Sequence, residues 1–264
     1  MVRYNPSVIH PAGHYPIMKF IVLSTICILL FTFITHGDGT KAYGTNTGDV
    51  RRYERYHYEA LKRGKRAGGQ RESIIIEIDR FGSETLLTVQ TQRMNNNEIV
   101  RLILNQKGEV ISGSRETVYH TEGQIHQERI WRNDKTVYVE RLFTGHVRTK
   151  SFTIPKPVSL VVDASLIYLL RSFPFDTNVA RDYFMVDFSQ FAITVTARQI
   201  GIETVNVPAG EFDCYHIEVM VNRFILLPKI HFWVTKDPPH FLVKHSGKRG
   251  PFSPHYISAL VSKN

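Results

Sequence analysis

Cysteine is nearly absent: the 264-residue chain has two, Cys27 and Cys214. Cys27 lies in an apolar run near the N-terminus. Once that run is set aside, Cys214 stands alone, no internal disulfide can form, and stability has to come from a hydrophobic core. Other absences exclude whole classes of chemistry. There is no G-x-S-x-G, no phosphate-cradling glycine loop and no dinucleotide fingerprint. The tight His/Cys spacing of zinc sites is missing beyond the leader, where His10 and His14 form the one H-x-x-x-H. Heptads, long-period repeats and low-complexity linkers are also missing. No catalytic residue, metal ligand or cofactor is therefore nominated, and the chain reads as a non-enzyme.

What is present begins with the apolar run at 20–34, preceded by Lys19 and followed by small and polar residues. A spanning helix needs about 20 apolar residues, so this shorter run reads as the core of a secretory signal. Ala42 is the best cleavage position, and Met18 is a more natural start than Met1. Residues 1–42 are read as leader and signal, and 43–264 as a single domain of a size that supports one core. An uncleaved anchor is the competing reading of the same run.

The domain reads as many short strands closed by turn signals. Strands are predicted at 55–61, 73–78, 85–92, 99–104, 109–120, 124–131, 136–143 and 147–154. They resume at 182–187, 191–197, 202–207, 212–221, 229–235, 240–245 and 256–261. This spacing argues for an all-β fold, an antiparallel meander closing into a barrel or half-barrel. Residues 136–143 put Val137, Val139 and Arg141 on one face and Tyr138, Glu140 and Leu142 on the other. Such mixed faces suit an antiparallel sheet better than a parallel one buried on both sides. One short helix interrupts at about 163–172, with Asp163 as N-cap, an apolar stripe through Leu166, Ile167, Leu169 and Leu170, and Pro174 as its stop. It is expected to plug or cover the barrel.

Three segments carry a family resemblance: V-P-A-G-E-F-D-C-Y from Val207, W-V-T-K-D-P-P-H from Trp233, and D-A-S-L-I-Y-L-L-R-S-F-P-F from Asp163. With Y-x-Y-E at Tyr56 to Glu59, they resemble an uncharacterised family of exported bacterial proteins, domain of unknown function 3108 (DUF3108). The resemblance implies a lipocalin-like barrel in the Gram-negative envelope, periplasmic or envelope-associated. It carries over no reaction and no site residues.

Two candidate sites follow from the residues. Trp131, Phe232, Trp233 and Phe241 are candidate walls of an interior that binds an apolar or amphipathic molecule such as a lipid, with Tyr168, Leu169 and Leu170 as its lid. The same residues also suit a filled core. The basic stretch 51–71, with Lys62, Arg63, Lys65 and Arg66 at a hairpin tip, is a candidate contact for an anionic membrane surface, or a solvated turn. An exported protein with these cations meets lipid headgroups rather than nucleic acid. The alternative function is an envelope scaffold whose basic face binds partners. Cys214 and His216 share a strand face, but the expectation for Cys214 is a small buried side chain, not a nucleophile. His216, His231, His240 and His245 are expected to be structural or surface residues.

Overall fold

The computed structural model describes residues 52–63, 71–121, 123–143, 145–155, 157–175, 179–221, 229–248 and 254–264. The expected leader, signal and cleavage position lie outside these residues, as do Lys65 and Arg66 of the expected hairpin tip. Among the described residues, no helix is long and apolar enough to cross a membrane.

Eight strands run in sequence as an antiparallel meander: β1 Arg52–Arg63, β2 Arg71–Phe81, β3 Glu84–Gln92, β4 Asn96–Leu104, β5 Val110–Tyr119, β6 Ile125–Asn133, β7 Thr136–Phe143 and β8 His146–Thr153. After β9 Ser159–Val162 the chain forms the helix α1 Asp163–Leu169 and a 3₁₀ turn, Leu170–Ser172. Six more strands follow: β10 Ala180–Asp187, β11 Phe191–Val207, β12 Gly210–Val221, β13 Ile230–Thr235, β14 Leu242–Gly247 and β15 His255–Lys263. All belong to one sheet, in the order β8-β7-β6-β5-β4-β3-β2-β1-β15-β14-β13-β12-β11-β10-β9. The last strand thus returns to lie beside the first. β9 pairs parallel with β10, and the other described pairs are antiparallel.

The alternation in the sequence becomes the two faces of this sheet. Ile76, Ile78, Leu87, Val100, Leu102, Leu104, Ile130, Val137 and Val139 are buried on the concave face. Each such burial is worth about 1.5–3 kcal/mol relative to exposure. Leu166, Leu169 and Leu170 drop from the helix into the same core. The Ser165 hydroxyl ties the helix start, accepting from Val162 N–H and donating to Val162 C=O, both at 2.9 Å. Asp163, the expected N-cap, is instead the first helical residue, and its side chain is exposed.

The sheet is not closed by a backbone ladder among the described strands; side chains bridge its ends. Gln190, in the turn between β10 and β11, donates its carboxamide to Val139 O (3.1 Å) on β7 and Arg148 O (2.7 Å) on β8. Lys150 on β8 donates back to Gln190 O at 3.1 Å. The two edge strands are short (β9) or exposed and basic (β8), both common ways of keeping an edge from pairing with other chains. This is the open barrel that the strand pattern leads one to expect, with the helix over its interior.

Candidate functional site

The concave face encloses a cavity of about 130 Å³ beneath the start of α1. Ile74, Ile76, Val89, Val100, Ile167, Phe188, Ile230 and Phe232 give it apolar walls. Arg93, Glu98, Arg115 and Asp187 form a charged end, and Asp163 and Lys248 also contribute to the lining.

The charged end is an interlocked set of ion pairs on inward-facing strand positions, joined by Arg93 just past β3. Arg115 on β5 forms a two-point pair with Glu128 on β6, Nε to Oε2 at 2.6 Å and Nη2 to Oε1 at 2.9 Å. Arg141 on β7 adds a bond to Glu128 Oε1 at 3.1 Å. Across the sheet opening, Arg115 Nη1 lies 3.6 Å from Asp187 on β10, and its guanidinium sits 5.1 Å from the centre of the Phe188 ring. Arg93 lies 2.8 Å from Glu72 and 3.8 Å from Glu98. Burial pushes the Glu72 carboxyl up, but Arg93 and Lys62 outweigh it and hold the group below its usual range.

The predicted ligand-wall residues divide between the two faces. Phe232 lines the cavity and stacks on His245. Phe241 is buried against Tyr56, ring centres 5.6 Å apart, and Leu169 and Leu170 are core. Tyr168 is half-buried and hydrogen-bonded to Thr85 Oγ1 at 3.2 Å, away from the cavity. One correction concerns Trp131. Trp131 neighbours the inward Ile130 and so points outward, stacked on Tyr138 at 5.4 Å. Trp233 is buried with the hydrophobic core but does not line the cavity; it donates to Glu203 Oε1 at 2.6 Å and stacks on His216 at 4.5 Å. Large aromatic area argued for the interior, but strand parity decides the side.

The basic hairpin is also redistributed. Lys62 is not a free surface cation: it is ion-paired to the buried Glu72. Arg63 ends β1 opposite His255. Cys214 is fully buried with its thiol toward Phe212 O, and burial pushes the thiol up to about 12. His216 bonds Glu203 at 2.7 Å and His231 at 2.9 Å rather than Cys214. Burial, together with His231, holds the His216 ring below its usual range despite Glu203. His240 and His245 lie elsewhere, on Thr235 O and Ser258.

The sequence reading missed the charged end altogether. Its signal was present for two of the three: Glu128 and Arg141 occupy strand positions in phase with the buried Ile130 and with Val137 and Val139, whereas Arg115 shares its phase with Gly113 and Thr117.

A second concave feature lies where the 3₁₀ turn ends. A polar cleft of about 390 Å³ is lined by Arg52, Arg80, Lys107, Tyr168, Arg171 and the Pro238–Pro239 corner, among others. The Pro238–Pro239 bond is cis.

Among solved structures, a candidate exported protein with a YmcC-like fold from Bacteroides fragilis aligns over 80% of this chain and 95% of its own, at 9% identity and a TM-score of 0.31. A candidate lipoprotein from Parabacteroides distasonis aligns over 80% and 94%, at 11% identity and a TM-score of 0.30. Overlaps this loose carry no argument about the chain. No curated protein matches it. The family model described as "protein of unknown function (DUF3108)" matches residues 52–249, from the first strand through the last but one, and the chain belongs to that family.

Proposed function

We propose that the protein is an exported, non-catalytic binding protein of the cell envelope, taking the apolar part of an amphipathic molecule into the cavity beneath α1. The observation that carries this reading is the cavity itself, apolar along its walls and charged at one end. Binding pockets combine apolar lining with a few polar groups in this way. Its volume, about 130 Å³, limits the reading. An engineered apolar cavity of roughly 150 Å³ takes one benzene. The cavity therefore admits a short apolar segment, not a whole acyl chain. Export rests on the apolar run at 20–34.

The reading without catalysis is supported by Cys214, whose raised thiol pKa disfavours a thiolate nucleophile. A scaffold acting through the basic hairpin has less support, because Lys62 neutralises Glu72 and Arg55 lies 3.4 Å from Glu77.

Isothermal titration with n-alkanols of increasing length tests the proposal using a neutral head. Affinity should rise by about 0.8 kcal/mol per methylene, then level off once the cavity is full. Val89→Phe, which fills the cavity from its wall, should abolish the dependence on length. Absence of binding at every length, or binding unchanged by Val89→Phe, would overturn it.

A further inference from the structure

The cleft beside the 3₁₀ turn gathers more positive charge than the described protein groups around it neutralise. Arg52 on β1 and Arg80 on β2 are direct cross-strand partners. Like charges placed opposite each other in a ladder are destabilising. Arg171 joins them from the 3₁₀ turn, and Lys107 stands exposed at the rim.

One carboxylate, Glu54, serves all three guanidinium groups. It lies 2.7 Å from Arg171 Nη2, 3.3 Å from Arg52 Nε and 3.4 Å from Arg80 Nη2. Glu54 Oε2 also accepts from the Tyr56 hydroxyl at 2.6 Å. Burial pushes Glu54 up, but the Tyr56 bond and the arginines outweigh it and hold the carboxyl below its usual range, so it is ionised at neutral pH.

Donor groups remain unsatisfied at the same place. The Arg171 side chain is only 8% exposed; Nε donates to Pro239 O at 2.9 Å and Nη2 to Glu54, while Nη1 has no acceptor among the described residues. Arg80 Nε is likewise buried without an acceptor among them. Both guanidinium groups lie 5.8 Å from the Tyr168 ring centre, which makes this ring one wall of the cleft. Buried charge-bearing donors without acceptors are costly, and a natural protein keeps few of them. A forked guanidinium suits the planar or tetrahedral oxygens of a carboxylate or phosphate.

We propose that this cleft is an anion-binding site, in which Arg52, Arg80 and Arg171 hold a phosphate or carboxylate group and Lys107 attracts it at the rim. The ligand is either a free anion or the headgroup of an anionic lipid. The site is separate from the cavity beneath α1, so the proposal does not rest on the alkanol-binding reading and can fail or stand without it.

The test uses the full folded domain and two probes: inorganic phosphate by isothermal titration, and flotation with vesicles of phosphatidylcholine alone or mixed with phosphatidylglycerol. The variants are Arg80→Gln and Arg52→Gln, with Arg55→Gln as a control that keeps the same loss of charge on the other face of β1. Saturable phosphate binding weakened about tenfold or more by each cleft variant, but not by the control, identifies a free-anion site. Failure to bind phosphate, with flotation that needs phosphatidylglycerol and is lost in the same two variants, identifies a headgroup site. A thermal melt separates binding from folding: Arg52→Gln relieves the repulsion with Arg80 and loses the partly exposed contact to Glu54, so the melting temperature should stay close to that of the wild type while binding falls. Binding of neither probe, or binding equally reduced by Arg55→Gln, would overturn the proposal.

Discussion

Removing Arg115 probes the charged end of the interior directly. Its guanidinium makes two short bonds to Glu128, at 2.6 and 2.9 Å, and reaches Asp187 at 3.6 Å. Arg115→Ala leaves the Glu128 side chain, 3% exposed, with Arg141 alone, and Arg141 is itself 35% exposed. Asp187, also buried, loses the cation that faces it from β5. Breaking a buried ion pair from one side costs about 3–5 kcal/mol. With a urea slope of roughly 2–3 kcal/mol/M for a domain of this size, the midpoint should fall by roughly 1–2.5 M. Equilibrium unfolding followed by tryptophan fluorescence measures it. The companion variant, Arg115→Met with Glu128→Leu, replaces the pair by apolar groups and should cost less than about 2 kcal/mol. The reasoning is refuted if Arg115→Ala unfolds within about 1 kcal/mol of the wild type, or if the double variant is as damaging as the single one.

Three further predictions follow from particular contacts. Glu72 has a folded-state pKa lowered below 4.5, so its stabilising contribution is present above that value and is lost as pH falls through the folded value. Acid unfolding of Glu72→Gln should accordingly show a shallower loss of stability below pH 4.5 than the wild type, from a lower starting stability. At Gly113 an added Cβ would lie 2.3 Å from Leu102 Cδ2 and 2.7 Å from Arg101 O, so Gly113→Ala should cost about 1–3 kcal/mol in a thermal melt. Iodoacetamide mapped by peptide mass spectrometry should leave Cys214 unlabelled in the native protein and label it in urea; rapid native labelling would contradict the burial of the thiol.

Much of the architecture was legible because alternation is a local property. The 136–143 prediction coincides with β7, and Arg141 on its mixed inner face is explained by its bond to Glu128. The strand β9 was missed because Ser159–Val162 is short, almost wholly buried and parallel to its neighbour, so it shows no alternation and no hairpin turn. The strands expected at 191–197 and 202–207 are one continuous strand, β11, whose ladder with β12 crosses the gap with a register shift between Gln199 and Gly201. The strand expected at 99–104 starts earlier, at Asn96, as β4.

The candidate site was harder to read, because residue type and strand parity point in opposite directions there. Lys62 looks like a surface cation by type, but its phase with Tyr58 and Ala60 turns it inward to Glu72. Trp131 looks like core by type and is turned outward because it is out of phase with the inward Ile130. The cationic cleft draws on β1, β2 and the 3₁₀ turn, separated by more than a hundred residues between Glu54 and Arg171. No local pattern links them; the sheet register does.

The central claim is that the cavity beneath α1 holds the apolar part of an amphipathic molecule. Native mass spectrometry of the protein purified from envelope fractions, alongside Val89→Phe, measures this most directly. The account predicts a bound amphipathic species on the wild type at near one-to-one ratio and its loss in the variant. A wild-type protein that is consistently empty, or a ligand retained in full by Val89→Phe, would contradict it.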